Sequence, residues 1–214
     1  MTVLLTAFEP FGGEARNASL EAMRLVPDMV GEIRVVKREL PVAFGASAAL
    51  LRQAIGGVRP DAVLCLGQAA GRAEFTPERV AINIDDARIP DNAGDQPMDR
   101  PVVDQGPAAY FSTLPVKAMA AAMDAVGVPA SVSNTAGTYV CNHVMYSLLH
   151  ELATVYPGVR GGFMHVPMLA EQAEAYHPPL PGMSADEMAR GIRAAIAAIA
   201  DNRHDIAASA GREH

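Results

Sequence analysis

Short apolar runs alternate along the chain with segments whose apolar residues recur at helical spacing, and this alternation constrains the fold more than any other feature. The runs at 3–8, 33–40, 62–66, 80–84, 131–133 and 162–166 have the length and side-chain content of strands. Helical segments at 43–55, 115–125 and 140–153 fall between most of them, and a further one covers 185–200. Asn17 is placed to cap a helix over 20–25. Ser184, Ala185, Asp186 and Glu187 form a capping box, in which the Ser and Glu side chains satisfy amides that the helix start leaves unpaired. Strand and helix in alternation bury their apolar faces best as a mostly parallel sheet covered on both sides. The 80–84 run alternates with polar residues and reads as an antiparallel or edge strand. The predicted fold is therefore α/β: a single-domain, three-layer α/β/α sandwich around a central twisted, mostly parallel mixed sheet.

A chain of 214 residues suits one hydrophobic core. It carries no internal repeat and no low-complexity linker, so one domain is expected over 1–214, with residues after about 201 forming a frayed tail. The stretch 86–106, with three prolines and several Asp and Gly residues, reads as a long surface loop. Apolar runs are interrupted every few positions, well short of the roughly 20 residues that cross a bilayer, so no membrane partner is expected. The opening residues lack a basic leader and a small-residue cleavage site, which sets the expected location as cytoplasmic. A net charge of −7 without a basic run makes nucleic-acid phosphates poor partners and points to small or neutral substrates. Two cysteines, Cys65 and Cys141, suggest neither a disulfide framework nor a cysteine-rich metal site.

Cys141 follows a small polar turn at 133–137 and precedes Val144, Leu148 and Leu152 at helical spacing. Its sulfur is thus predicted in the first turn of a helix, where the positive end of the helix favours thiolate and free amides can hold an oxyanion. Cys65 sits at the centre of an apolar strand, where burial keeps a thiol inert. A cysteine nucleophile needs a base, and six histidines are available. His143, two residues on, projects about 200° away on a helix. His150 lies more than two turns further, His177 precedes two prolines, and His204 and His214 fall in the tail. His165 stands near the end of an apolar strand, where reactive groups of open α/β sheets gather beyond the carboxyl ends. The group that orients its imidazole stays open among Glu78, Asp85 and Asp86.

Five motifs in order resemble one family. They are Thr6-Ala-Phe-Glu-Pro-Phe-Gly-Gly13, Gly67-Gln-Ala-Ala-Gly-Arg72, the segment from Pro77 to Asn92, the segment from Ser133 to His143, and His165-Val-Pro167. Together they resemble the type I pyroglutamyl peptidases, also called pyrrolidone carboxyl peptidases. The resemblance implies Cys141 as nucleophile, His165 as base and then acid, and Glu78 as the orienting carboxylate. It also implies an α/β/α fold, no cofactor, no metal, and homo-oligomers that are tetramers in many bacterial members. The implied substrate is a peptide or protein blocked by N-terminal pyroglutamate. Phe8 and Phe11 match positions that hold the pyroglutamyl ring, Gln68 one near the lactam, and Tyr139 and Val140 positions beside the pocket. Arg88 matches a position close to the site, with a role in substrate or oxyanion binding; an ion pair with Asp85 or Asp86 is its structural alternative.

Tyr139, Met168 and Ala170 stand where many members have phenylalanine, tyrosine and proline, which bears on fine substrate preference and removes no catalytic group. Two rival readings are a nucleoside-phosphorylase-like enzyme, which needs phosphate and no Cys141, and an inactive binding protein on the same fold.

Overall fold

The structure, a computed structural model, describes residues 1–211. Its first half runs β1 (Thr2–Phe8), α1 (Ala18–Leu25), β2 (Met29–Val30), β3 (Ile33–Leu40), α2 (Ala46–Val58), β4 (Ala62–Gln68), β5 (Thr76–Pro77) and β6 (Val80–Ile82). After a long connection come β7 (Ala109–Phe111), α3 (Val116–Ala125), α4 (Val140–Thr154), β8 (Arg160–Val166), β9 (Met168–Leu169), α5 (Ala170–Ala173), β10 (Gly182–Met183) and α6 (Ala185–Asp201).

The central sheet has the order β2-β3-β1-β4-β8-β5. Its four inner strands are parallel, while the two-residue strands β2 and β5 pair antiparallel at the edges. This is the expected mixed, mostly parallel sheet. Alternate residues sort cleanly between its faces, as the pleat requires. Leu5, Leu64, Met164 and Val166 pack on one side with Met119, Ile192 and Ile196 from α3 and α6. Leu4, Val63, Cys65 and Phe163 pack on the other with Leu51 from α2 and Leu148 from α4. Leu4, Leu5 and Leu64 are fully buried, and each such side chain contributes roughly 1.5–3 kcal/mol. The capping predictions hold: the Asn17 side chain accepts from Ser19 N, and Ser184 and Glu187 complete the capping box of α6.

Three elements differ from expectation for identifiable reasons. The 80–84 run forms β6, which leaves the central sheet and pairs antiparallel with β7, in keeping with its polar alternation. Residues 131–133 form no sheet strand; the polar segment lies beside β5 and makes only isolated bridges, Phe75 to Ala130 and Glu78 to Ser133. Helix α2 begins at Ala46 because Asp91 Oδ2 accepts from Phe44 N at 2.8 Å and Gly45 turns the chain at φ 62°. The 86–106 connection is free of helix and strand as expected, yet it is fastened: Asp91 Oδ1 also accepts from Ala93 N and Asp95 N. Among the described residues, no helix is long and apolar enough to cross a membrane.

Residues 202–211, read from sequence as a loose tail, leave regular structure but are tied to the body. Pro115 gives α3 no side-chain cap. The Asp205 carboxylate takes that place, accepting from Lys117 N at 3.1 Å and Ala118 N at 3.0 Å. Arg79 donates to the Ala210 carbonyl. Asp205→Ala is expected to cost about 0.5–2 kcal/mol, the usual worth of a helix cap, and to lower Tm by about 2–4 °C per kcal/mol in a thermal melt.

Candidate active site

Helix α4 starts without help from its own cap. Tyr139 has extended backbone and no side-chain cap bond, and the first bonded amide of the helix is His143 N, which donates to Tyr139 O at 3.1 Å. The amides of Val140, Cys141 and Asn142 therefore precede the helical ladder and point at whatever lies before the helix. The buried Asn142 side chain fixes this turn, accepting from Ile82 N at 3.0 Å and donating to the Ile82 and Ile84 carbonyls at 2.9 and 3.0 Å.

His165 lies near the carboxyl end of β8. Since Phe163 faces α4 and side chains alternate along a strand, His165 projects toward α4 as well. Its register partner on β4 is Gly67. A side chain at Gly67 would meet the Cys141 sulfur at 3.0 Å and the Phe163 ring at 2.7 Å, so the sulfur occupies the space that the glycine leaves open. The Phe163 and His165 rings are 4.9 Å apart. Sulfur and imidazole thus converge on the same face of the sheet, over adjacent strands.

The imidazole is oriented from behind. His165 Nδ1 lies 2.7 Å from Glu78 Oε1, and the same oxygen accepts from Arg72 Nη1 at 2.6 Å. A carboxylate partner places the proton on Nδ1 and leaves Nε2 as the basic nitrogen. Glu78 is fully buried, and its amide donates to Phe163 O at 2.9 Å, which anchors it beside β8. Arg72 also bonds Thr76 Oγ1 and donates to Thr135 O. Burial pushes the Glu78 carboxyl upward, but the hydrogen bond and charge of His165, with Arg72 behind, outweigh it and hold the group below the usual carboxylate range.

The thiol departs from its sequence expectation. Burial first, and the Glu78 carboxylate second, push Cys141 up to about 12, so the helix start alone does not ionise it. Cys141 is partly exposed as a residue, but its sulfur points inward against Gly67. Cys65 is fully buried and is also pushed up to about 12 by burial, consistent with an inert core thiol.

A small cleft of about 20 Å³ opens beside the sulfur, lined by Phe8, Phe11, Gln68, Tyr139, Val140 and Cys141, with Asn17 and Val42 completing it. No lining side chain carries a charge. Gln68 Oε1 accepts from Ala18 N at 2.7 Å, which leaves the amide nitrogen as the group it can offer to the cleft. The Tyr139 ring stands edge-on to Phe44 at 5.5 Å, and its hydroxyl donates to Pro90 O at 3.1 Å. Arg88 is exposed and does not line this cleft, and the carboxylate of Asp85 serves His143 instead.

Sequence reasoning assigned no role to Arg72, Asn142 or Gly67. It also missed a second buried pair, in which His143 Nδ1 lies 2.9 Å from Asp85 Oδ2 while Nε2 accepts from Gly45 N at 3.0 Å. This pair ties α4 to the start of α2 and leaves His143 fully occupied. Of the other histidines, His150 faces Tyr110, and His214 lies outside the described residues.

The sequence pattern of a family described as pyroglutamyl peptidase matches residues 1–202. The pyrrolidone-carboxylate peptidase of Yersinia pestis (strain Pestoides F) is 53% identical over 213 residues, covering 99% of each chain. A crystal structure of pyroglutamyl peptidase I from Bacillus amyloliquefaciens superposes with a TM-score of 0.94 at 42% identity, covering 97% of this chain and 99% of that one. A mutant pyrrolidone carboxyl peptidase from Pyrococcus furiosus gives 0.89 at 40% identity, covering 94% and 99%.

Two outcomes follow from the geometry. Gly67→Ala forces a methyl into the Phe163 ring and the sulfur; overpacking of this kind costs about 1–3 kcal/mol, read as a lower Tm, and displaces Cys141. Because the folded-state pKa of Glu78 lies below its unfolded value of about 4.3, ionised Glu78 adds stability at neutral pH that is lost as pH falls through the folded value. The stability difference between wild type and Glu78→Gln should therefore shrink on acidification, as measured by denaturant unfolding at several pH values.

Proposed function

This chain belongs to the pyroglutamyl peptidase family, and from that premise we propose that it removes pyroglutamate from the N-terminus of peptides, with Cys141, His165 and Glu78 as the catalytic groups. The observation that carries the assignment is the convergence of the Cys141 sulfur and the Glu78-bound imidazole beside a cleft without charged lining. Pyroglutamate is a lactam with no free amine, so a site that anchors an ammonium group gains nothing from it. A neutral cleft with Phe8, Phe11 and Tyr139 suits the ring, and the Gln68 amide suits its polar edge. A proline ring lacks the lactam carbonyl and would leave that amide unpaired.

In the mechanism, the substrate carbonyl sits over the Cys141 sulfur with its oxygen toward the amides at the start of α4. Because the buried thiol resists ionising alone, proton transfer to His165 Nε2 accompanies attack, and Glu78 supports the imidazolium that forms. The amides of the first turn stabilise the tetrahedral oxyanion. His165 then gives its proton to the departing amine, leaving a thioester on Cys141. Water, deprotonated by His165, attacks the thioester, and free pyroglutamate leaves as the thiol is restored.

Arg88 enters the proposal as a flanking cation for the substrate or oxyanion. A cytoplasmic setting and a homo-oligomeric, tetrameric assembly belong to it too, supported by the family resemblance and by the exposed Phe111 and Ile82 on the β6 and β7 pair. The phosphorylase and inactive-protein readings are not favoured, given relatives named as peptidases along the whole chain. Cys141→Ala should abolish hydrolysis of a pyroglutamyl amide while melting like wild type; turnover retained by that variant would remove Cys141 from the chemistry.

A further inference from the structure

A second, larger furrow is built on two chain segments that also contribute to the ring cleft. Its volume is about 370 Å³, against about 20 Å³ in the cleft, and its lining includes Arg72, Glu74, Thr76, Ser131, Ser133 and Thr135. The two cavities share no lining residue, yet the same two chain segments wall both. One wall runs from Gln68 at the cleft through the turn closed by Arg72 N to Ala69 O, and on to Thr76 in the furrow. The other runs from Ser131 through the Thr135 turn to Tyr139 and Cys141. Arg72 crosses between them, bonding Glu78 on one side and the Thr135 carbonyl on the other. Thr76, a furrow residue, is the register partner of His165 on the edge strand.

We propose that this furrow receives the first residues of the leaving peptide, those that follow pyroglutamate. The inference rests on the function proposed above, since with the ring in the cleft and the departing amine at His165, the chain continues past Thr76 between the two walls. Its chemistry sets what it selects. The charged side chains in the lining are Arg72 and Glu74, and both are engaged, Arg72 with Glu78 and Glu74 with the Ser131 hydroxyl at 2.7 Å. Hydroxyls and backbone make up much of the remaining lining, and these contact an extended peptide through its main chain. The site therefore discriminates by the length of the leaving group.

The test is kcat/KM across a series with one, two, three and four alanines after pyroglutamate, each as the C-terminal amide, with unsubstituted pyroglutamyl amide as reference. The expected profile rises about tenfold over the first two or three residues, the worth of one or two net hydrogen bonds, and then levels off. Filling the furrow with Ala73→Trp, or from the opposite wall with Ser131→Trp, should flatten the rise in a variant whose melting matches wild type. A flat profile in the wild type, or a rise that survives both substitutions, overturns the furrow while leaving the peptidase assignment standing. No hydrolysis of any member, the reference amide included, overturns both.

Discussion

A single buried carboxylate organises this molecule's chemistry. Glu78 has no exposure to solvent, and a lone charge in that setting would be neutralised rather than tolerated. It stays ionised because one oxygen is shared between His165 and Arg72, while its backbone is fastened beside β8. That arrangement settles the imidazole tautomer, fixes the direction of Nε2, and draws the 68–76 segment against the 133–137 turn through Arg72. Remove it and three pieces of the site lose their mutual placement, although none is adjacent in sequence.

The sheet supplies the other half of the placement. A parallel strand pair sets Gly67 beside His165, and the absence of a side chain at Gly67 lets a helix begin where the sulfur needs to be. The buried Asn142 and the His143–Asp85 pair then hold the first turn of α4 against the β6 region and the start of α2. The Cys141 thiol is positioned from three directions.

Much of the layout was legible in the residues, and the exceptions share a cause. The inner strands β1, β4 and β8 announce themselves as short continuous apolar runs, because both of their faces are buried, and the principal helices by their period. Helix α6 declares its first residue through Ser184 and Glu187, whose partners lie three apart. The two-residue strands β2 and β5 carry no period to read, and 131–133 is extended without joining the sheet. The positions of Cys141 and His165 followed from where helices begin and strands end. The choice of Glu78 over Asp85 rested on family resemblance alone, and Asp85 turned out to serve His143 across 58 residues of chain. The helix terminus that favours a thiolate at Cys141 can be read from sequence, whereas the burial and the neighbouring carboxylate that oppose it cannot.

The enclosure of the Cys141 sulfur against Gly67 has a consequence for the molecule between substrates. Peroxide and electrophiles attack sulfur in proportion to its thiolate character. A sulfur turned inward, with burial opposing its thiolate, offers such reagents little purchase, so the enclosure that shapes the cleft also protects the thiol.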